Sequence, residues 1–134
     1  MWASGVKSAG AVVPTSSLWV QRTGDVDYDK AIGDWTRDGA WHDWDLSSIL
    51  PVGAKKVQIF VRAVTSGADI LISFQKKGET GAVSSQQRYI DTNHTDCYFG
   101  YMVDVDANRE IQYRVSAGAM TNLWAAIQGS FVEV

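Results

Sequence analysis

The chain has 134 residues, with twelve basic against fifteen acidic side chains, a net charge of −3, and 46% hydrophobic and 20% charged residues. That is the length of one ordinary domain; the composition excludes intrinsic disorder, and the acidic balance argues against a protein held to nucleic acid by phosphate contacts. Two prolines and twelve glycines exclude collagen-like and proline-rich fibres, which leaves six tryptophans as the unusual number.

In chain order, residues 1–16 are small and Gly/Ser/Ala-rich and read as a flexible N-terminal arm carrying Trp2. They have one lysine and no sustained apolar stretch, so no signal peptide is expected, and no later run approaches the roughly 20 residues of a spanning helix. Leu18 to Arg22 is a short strand candidate that includes Trp19. Ala40 to Leu46 alternates apolar and polar side chains less cleanly. Asp45 can cap a single helical turn near 46–50, which Pro51 stops. Leu46, Ile49 and Leu50 then form an apolar plug, and Pro51 and Gly53 redirect the chain into the next strand.

From Lys56 to Thr65 the alternation is clearest, with Val57, Ile59, Val61 and Ala63 on one face and Gln58 and Arg62 on the other. A turn at 66–69 leads to Ile70, Ile72 and Phe74 on one face of the following run. Val83 to Ile90 is mostly polar and suits an edge strand. Phe99, Tyr101, Val103 and Val105, a tight turn at 106–109, and Ile111, Tyr113 and Val115 suggest a hairpin. Tyr98, Phe99 and Tyr101 put aromatics on both faces of one strand, as a central strand or an oligomer contact does. The β-branched ending of the last run, Leu123 to Val134, favours a strand over a helix. About eight short strands with regular turns predict an all-β antiparallel β-sandwich or jelly roll, a single domain over residues 17–134.

The chain contains no glycine-rich phosphate loop, Gly-x-Ser-x-Gly elbow or His-Glu-x-x-His, and Cys97 is its lone cysteine. No enzyme is expected; a close pair of carboxyls for glycoside hydrolysis cannot be located by reading the sequence. The densest chemistry lies between Gly24 and Asp45. Asp25, Asp27 and Asp29 alternate there, and several carboxylates in one loop make calcium a candidate although the EF-hand pattern fails. A solvated loop whose aspartates make turns and caps is the favoured alternative. Trp35, Trp41 and Trp44 share this region with Asp43, and flat rings beside acids suit a sugar. Trp41 and Trp44 are three apart, so on a regular strand they face opposite ways and cannot share one core. An indole left outside suits assembly at least as well, and Trp2 and Trp19 are the candidate assembly contacts.

The stretch from Trp41 to Val57, with its Trp-x-x-Trp-Asp-Leu-Ser-Ser-Ile-Leu-Pro-x-Gly-Ala phrase, resembles a segment of small β-sandwich proteins of tailed bacteriophages. Asp106 to Tyr113 is similar to their Asp-x-x-Arg-x-Ile-x-Tyr hairpin. The resemblance spans about residues 35–134 and implies a non-enzymatic virion-surface protein, a decoration or tail-fibre-associated module assembled in the host cytoplasm. It offers no catalytic residues. Expected partners are further copies of the chain, other virion proteins and, in the alternative reading as a calcium-dependent or calcium-free carbohydrate-binding module, a host glycan; no nucleic acid, membrane or obligatory cofactor is expected.

Overall fold

A computed structural model describes residues 16–24, 26–66, 69–81, 85–91 and 96–133. The N-terminal arm with Trp2, and Asp25, lie outside the described residues. Eight strands follow in order: β1 (Ser17–Gln21), β2 (His42–Asp45), β3 (Ala54–Thr65), β4 (Ile70–Lys76), β5 (Gln86–Ile90), β6 (Asp96–Asp104), β7 (Glu110–Val115) and β8 (Met120–Glu133). One 3-10 turn, Ile32–Asp34, is the remaining regular element among the described residues. The strands pair antiparallel into two four-stranded sheets, ordered β1-β8-β3-β6 and β2-β7-β4-β5. The sheets pack face to face as a sandwich, and this strand order is that of a jelly roll, in which the chain changes sheet at nearly every connection. Within the described residues no helix is long and apolar enough to cross a membrane.

Alternation makes the core. Val57, Ile59, Val61 and Ala63 of β3 meet Ile70, Ile72 and Phe74 of β4, and all seven are fully buried. Leu123, Ala125 and Ile127 of β8 and Ile111, Tyr113 and Val115 of β7 complete the two inner faces. Each buried Val, Leu, Ile or Phe side chain among them contributes about 1.5–3 kcal/mol on burial. Tyr101 joins the sheets through a polar tip: its hydroxyl donates to the Ile72 carbonyl at 3.1 Å. Burial pushes this phenol's titration well above the ordinary tyrosine range.

The last run is a strand of the first sheet, as its β-branched ending indicates, and β5 is an edge strand. The expected hairpin at 99–115 is corrected. β6 pairs with β3 in one sheet, while β7 pairs with β2 and β4 in the other. Two adjacent alternating strands with a tight turn satisfy a hairpin and a sandwich corner equally well, and here the turn is a corner. The hairpin that does form joins β4 to β5. β6 is likewise an edge strand, not a central one; Tyr101 faces inward and Tyr98 outward.

The corner turn joins the 41–57 and 106–113 stretches. Arg109 sits at φ +62°, a conformation that costs a non-glycine residue about 1 kcal/mol or more. Its guanidinium donates to the carbonyls of Ser47 and Leu50 at 3.0 and 2.9 Å, and its own carbonyl accepts from Leu46 N–H. The turn at 46–50 is closed by Ile49 and Leu50 N–H donating to the Leu46 carbonyl, and Leu46 and Leu50 are buried beneath it as an apolar plug. One arginine thus ties the two stretches into one end of the sandwich.

β1 stops at Gln21, and the loop that follows takes over its role along β8. Arg22 and Asp29 N–H donate to the Gln128 and Ala125 carbonyls, Lys30 exchanges backbone bonds with Ala125, and the Asp29 carboxylate accepts Ile127 N–H at 2.7 Å while pairing with Arg22. Trp19 on β1 lies edge-on to Phe131 and close against Gly129, where a Cβ would come within 2.5 Å of the indole and 2.6 Å of the Val20 carbonyl. A Gly129→Ala change therefore displaces Trp19 or β1 and is expected to cost about 1–3 kcal/mol. Thermal melting together with tryptophan emission checks this: a lower Tm and a red shift are expected, and an unchanged Tm contradicts the close approach.

Candidate functional site: two outer sheet faces

The sandwich presents two outer faces of different chemistry. On the second sheet the outward residues of β2, β7 and β4 run in rows across directly paired positions. Gln112 Nε2 donates to Asp43 Oδ1 at 3.0 Å, and Gln75 Nε2 donates to Gln112 Oε1 at 2.9 Å. Lys77 bridges Asp43 at 3.1 Å and Glu110 at 3.2 Å. These donors, Gln112 first and then Lys77, hold the Asp43 carboxyl below its usual range. Next along, Arg114 lies over the Trp41 indole with its guanidinium carbon 4.5 Å from the ring centroid.

The four residues of the expected sugar site do not form one platform. Asp43 is exposed and Trp41 partly so, on the outer face. Trp35 and Trp44 are core residues, 6% and 9% exposed, and this corrects their place as surface rings. Trp44 faces inward by strand alternation, as its spacing from Trp41 requires. Trp35 follows the 3-10 turn, which folds the chain over the sandwich end and drives the indole into the aromatic core. It meets Tyr113 at 5.0 Å, Trp44 at 5.9 Å and Phe74 at 6.1 Å, all edge-on. The Lys30 ammonium caps this group, 4.8 Å from Tyr113 and 5.1 Å from Trp44, and burial lowers its titration against the opposing pull of Asp34.

Among the described residues no group of three or more His, Cys, Asp or Glu side chains could hold a metal ion. Asp29 is used structurally, paired with Arg22 and bonded to Ile127 N–H. Asp27 is exposed, and Asp25 lies outside the described residues. Asp38 and Asp45 behave as turn formers: Asp38 accepts Ala40 N–H, and Asp45 accepts Ser47 N–H, both at 2.9 Å or less. Asp38, Asp43, Asp45 and Asp96 all titrate below the ordinary carboxyl range, the opposite of what a general acid at neutral pH needs.

Reading the sequence alone missed the outer face of the first sheet. Phe60 of β3 stacks on Tyr98 of β6 at 5.9 Å and lies 5.8 Å from Trp124 of β8. Tyr98 is 56% exposed, and Phe60 and Trp124 are partly exposed. Arg62 stands over the Tyr98 ring at 5.1 Å and pairs with both oxygens of Asp96 at 2.9 and 3.1 Å. Farther along, Lys56 pairs with Asp104, and beyond them lie Phe131 and the expected assembly residue Trp19, 38% exposed. The signal was an aromatic residue on the polar phase of each of three strands.

No protein-family model and no curated protein matches this chain.

Proposed function

We propose that this protein is a non-enzymatic building block that associates with further copies of itself through the outer face of its first sheet, and that its setting is the surface of a phage virion, as a decoration or tail-fibre-associated protein. The observation that carries the first part is the aromatic patch of Phe60, Tyr98 and Trp124 on the solvent side of a sheet whose inner side is already packed. Tyrosine, tryptophan and arginine are the residues that anchor protein interfaces. The charges on this face suit a second copy: β3 carries Lys56 and Arg62, and the neighbouring β6 carries Asp104 and Asp96. A two-fold axis parallel to the strands, between β3 and β6, lays the β3 column of one copy over the β6 column of the other, with Lys56 over Asp104 and Arg62 over Tyr98. Such a contact is isologous, and sheets stack at about 10 Å. The virion setting rests on the resemblance of the 41–57 and 106–113 phrases, and peptides of this chain in particles purified from its source would test it.

Light scattering on chromatographed protein tests the association. The wild type is expected to run above the monomer mass at high micromolar concentration. Tyr98→Lys, which keeps β6 paired but puts a charge into the patch, is expected to weaken association by about 2 kcal/mol or more, roughly thirtyfold. A wild-type protein that is strictly monomeric at that concentration overturns the reading.

A further inference from the structure

The second sheet's outer face has its own cleft, separate from the aromatic patch. It is a depression of about 250 Å³ lined by Gly39, Leu71, Arg114 and Ser116. Leu71 and Ser116 form its floor and are locked together, Ser116 Oγ accepting Leu71 N–H at 2.8 Å. Two of the lining residues have an aromatic neighbour: Arg114 lies over Trp41, and Leu71 is directly paired with Tyr89 of β5, 60% exposed. Trp41 directly precedes β2 and Tyr89 lies on β5 at the opposite edge of the sheet, three strand spacings or about 14 Å away across the strands and two residues along them.

Arg114 distinguishes this cleft from a plain surface. The arginines at 22 and 62 pair with carboxylates, and Arg109 is held by two carbonyls. Among the described residues no carboxylate pairs with Arg114; its guanidinium, part of the cleft lining, rests on the Trp41 indole. Its cross-strand neighbour Ser73 is fully buried, and among the described residues neither Ser73 Oγ nor Arg114 Nε has a hydrogen-bond partner. The polar row of Asp43, Gln112 and Gln75 continues the same face with side chains fixed by one another.

From this geometry we infer a saccharide-binding site on the outer face of the second sheet, in which a short oligosaccharide lies across the cleft between Trp41 and Tyr89 with a planar pair of oxygens on Arg114. Sugars present C–H faces to rings and hydroxyls to fixed polar groups, and a planar guanidinium fork takes two acceptors side by side. Vicinal hydroxyls and a ring carboxylate both supply that pair. Asp43 and Gln112 then offer fixed polar groups to the hydroxyls of an adjoining ring, with Gln75 buried behind Gln112 and holding it in place.

The test is binding of wild type, Trp41→Ala, Arg114→Gln and Tyr98→Lys to an array of immobilised neutral and carboxylate-bearing oligosaccharides, followed by calorimetry on any hit. Melting curves establish that each variant is folded. The wild type is expected to bind, with affinity falling about tenfold or more in Trp41→Ala and Arg114→Gln and unchanged in Tyr98→Lys, which lies on the other sheet. Loss through Arg114→Gln confined to carboxylate-bearing ligands identifies the acid as the oxygen pair; loss for neutral ligands too identifies the hydroxyls. No binding to either class, or binding that survives both the Trp41 and Arg114 changes, overturns the site. An Arg114→Lys variant separates charge from the planar fork and is expected to bind no better than Arg114→Gln.

Discussion

Phe74→Ala is expected to lower stability by about 3–5 kcal/mol, a large share of what a domain of this size possesses. Phe74 is fully buried at the centre of β4 and touches rings from both sheets: Tyr101 at 5.0 Å, Trp35 at 6.1 Å and Trp44 at 6.5 Å. Removing it loses the transfer free energy of the ring and leaves a void between large side chains. Trp35 is held edge-on by Tyr113 and Trp44, so the neighbours cannot readily close that void. Thermal unfolding followed by near-ultraviolet circular dichroism checks this. A fall in Tm of roughly 10–20 °C is expected, whereas a fall of a degree or two would mean that the rings are not the centre of the core. Phe74→Leu fills most of the space and is expected to lose less than half as much.

Asp29→Ala is expected to cost about 3 kcal/mol or more, although its position in an acidic loop suggests a dispensable surface residue. The carboxylate is buried, with its side chain 6% exposed, and the Arg22 side chain beside it is 16% exposed. Removing it leaves Arg22 as a largely desolvated charge and Ile127 N–H without its acceptor. Breaking a buried pair from one side typically costs about 3–5 kcal/mol, and a stranded buried N–H adds about 1–3. Asp29→Asn retains an acceptor for Ile127 N–H and is expected to fall between wild type and alanine. Denaturant unfolding of the two variants separates the contributions. Equal stability of Asp29→Ala and wild type would contradict the view that the 22–30 loop completes the edge of β8.

Alternation made the fold legible from the sequence: the inward residues of β3 and β4 were readable one by one, and so was the opposite facing of Trp41 and Trp44, whereas a bulge in β8 puts Ser130 inward and Phe131 outward against simple alternation. Sheet membership was less so. A turn such as 106–109 has the same hydrogen bonds whether the chain folds back or crosses to the other sheet, and the choice rests on distant partners, β3 for β6 and β4 for β7. The make-up of the outer faces was hidden for the same reason. Phe60, Tyr98 and Trp124 each sat visibly on the outward phase of a strand, but they become a patch only when strands far apart in sequence are adjacent. Asp29 misled in the opposite direction, since local composition marks it as a loop acid while its burial comes from a contact 98 residues away. Trp35 read as a surface ring because no periodicity governs the irregular segment that carries it inward.

The two outer faces can operate together, one joining copies and the other meeting a ligand, because they lie on opposite sides of one core. Self-association through the first sheet is the central claim, and the most direct measurement is a dilution series followed by amide and indole proton resonances. On dilution from high to low micromolar concentration, the Trp124 indole and the amides of Phe60, Arg62 and Tyr98 are expected to shift together, while Trp41 and Asp43 on the opposite face stay fixed. Resonances that are all independent of concentration, or shifts confined to the second sheet, would contradict the account.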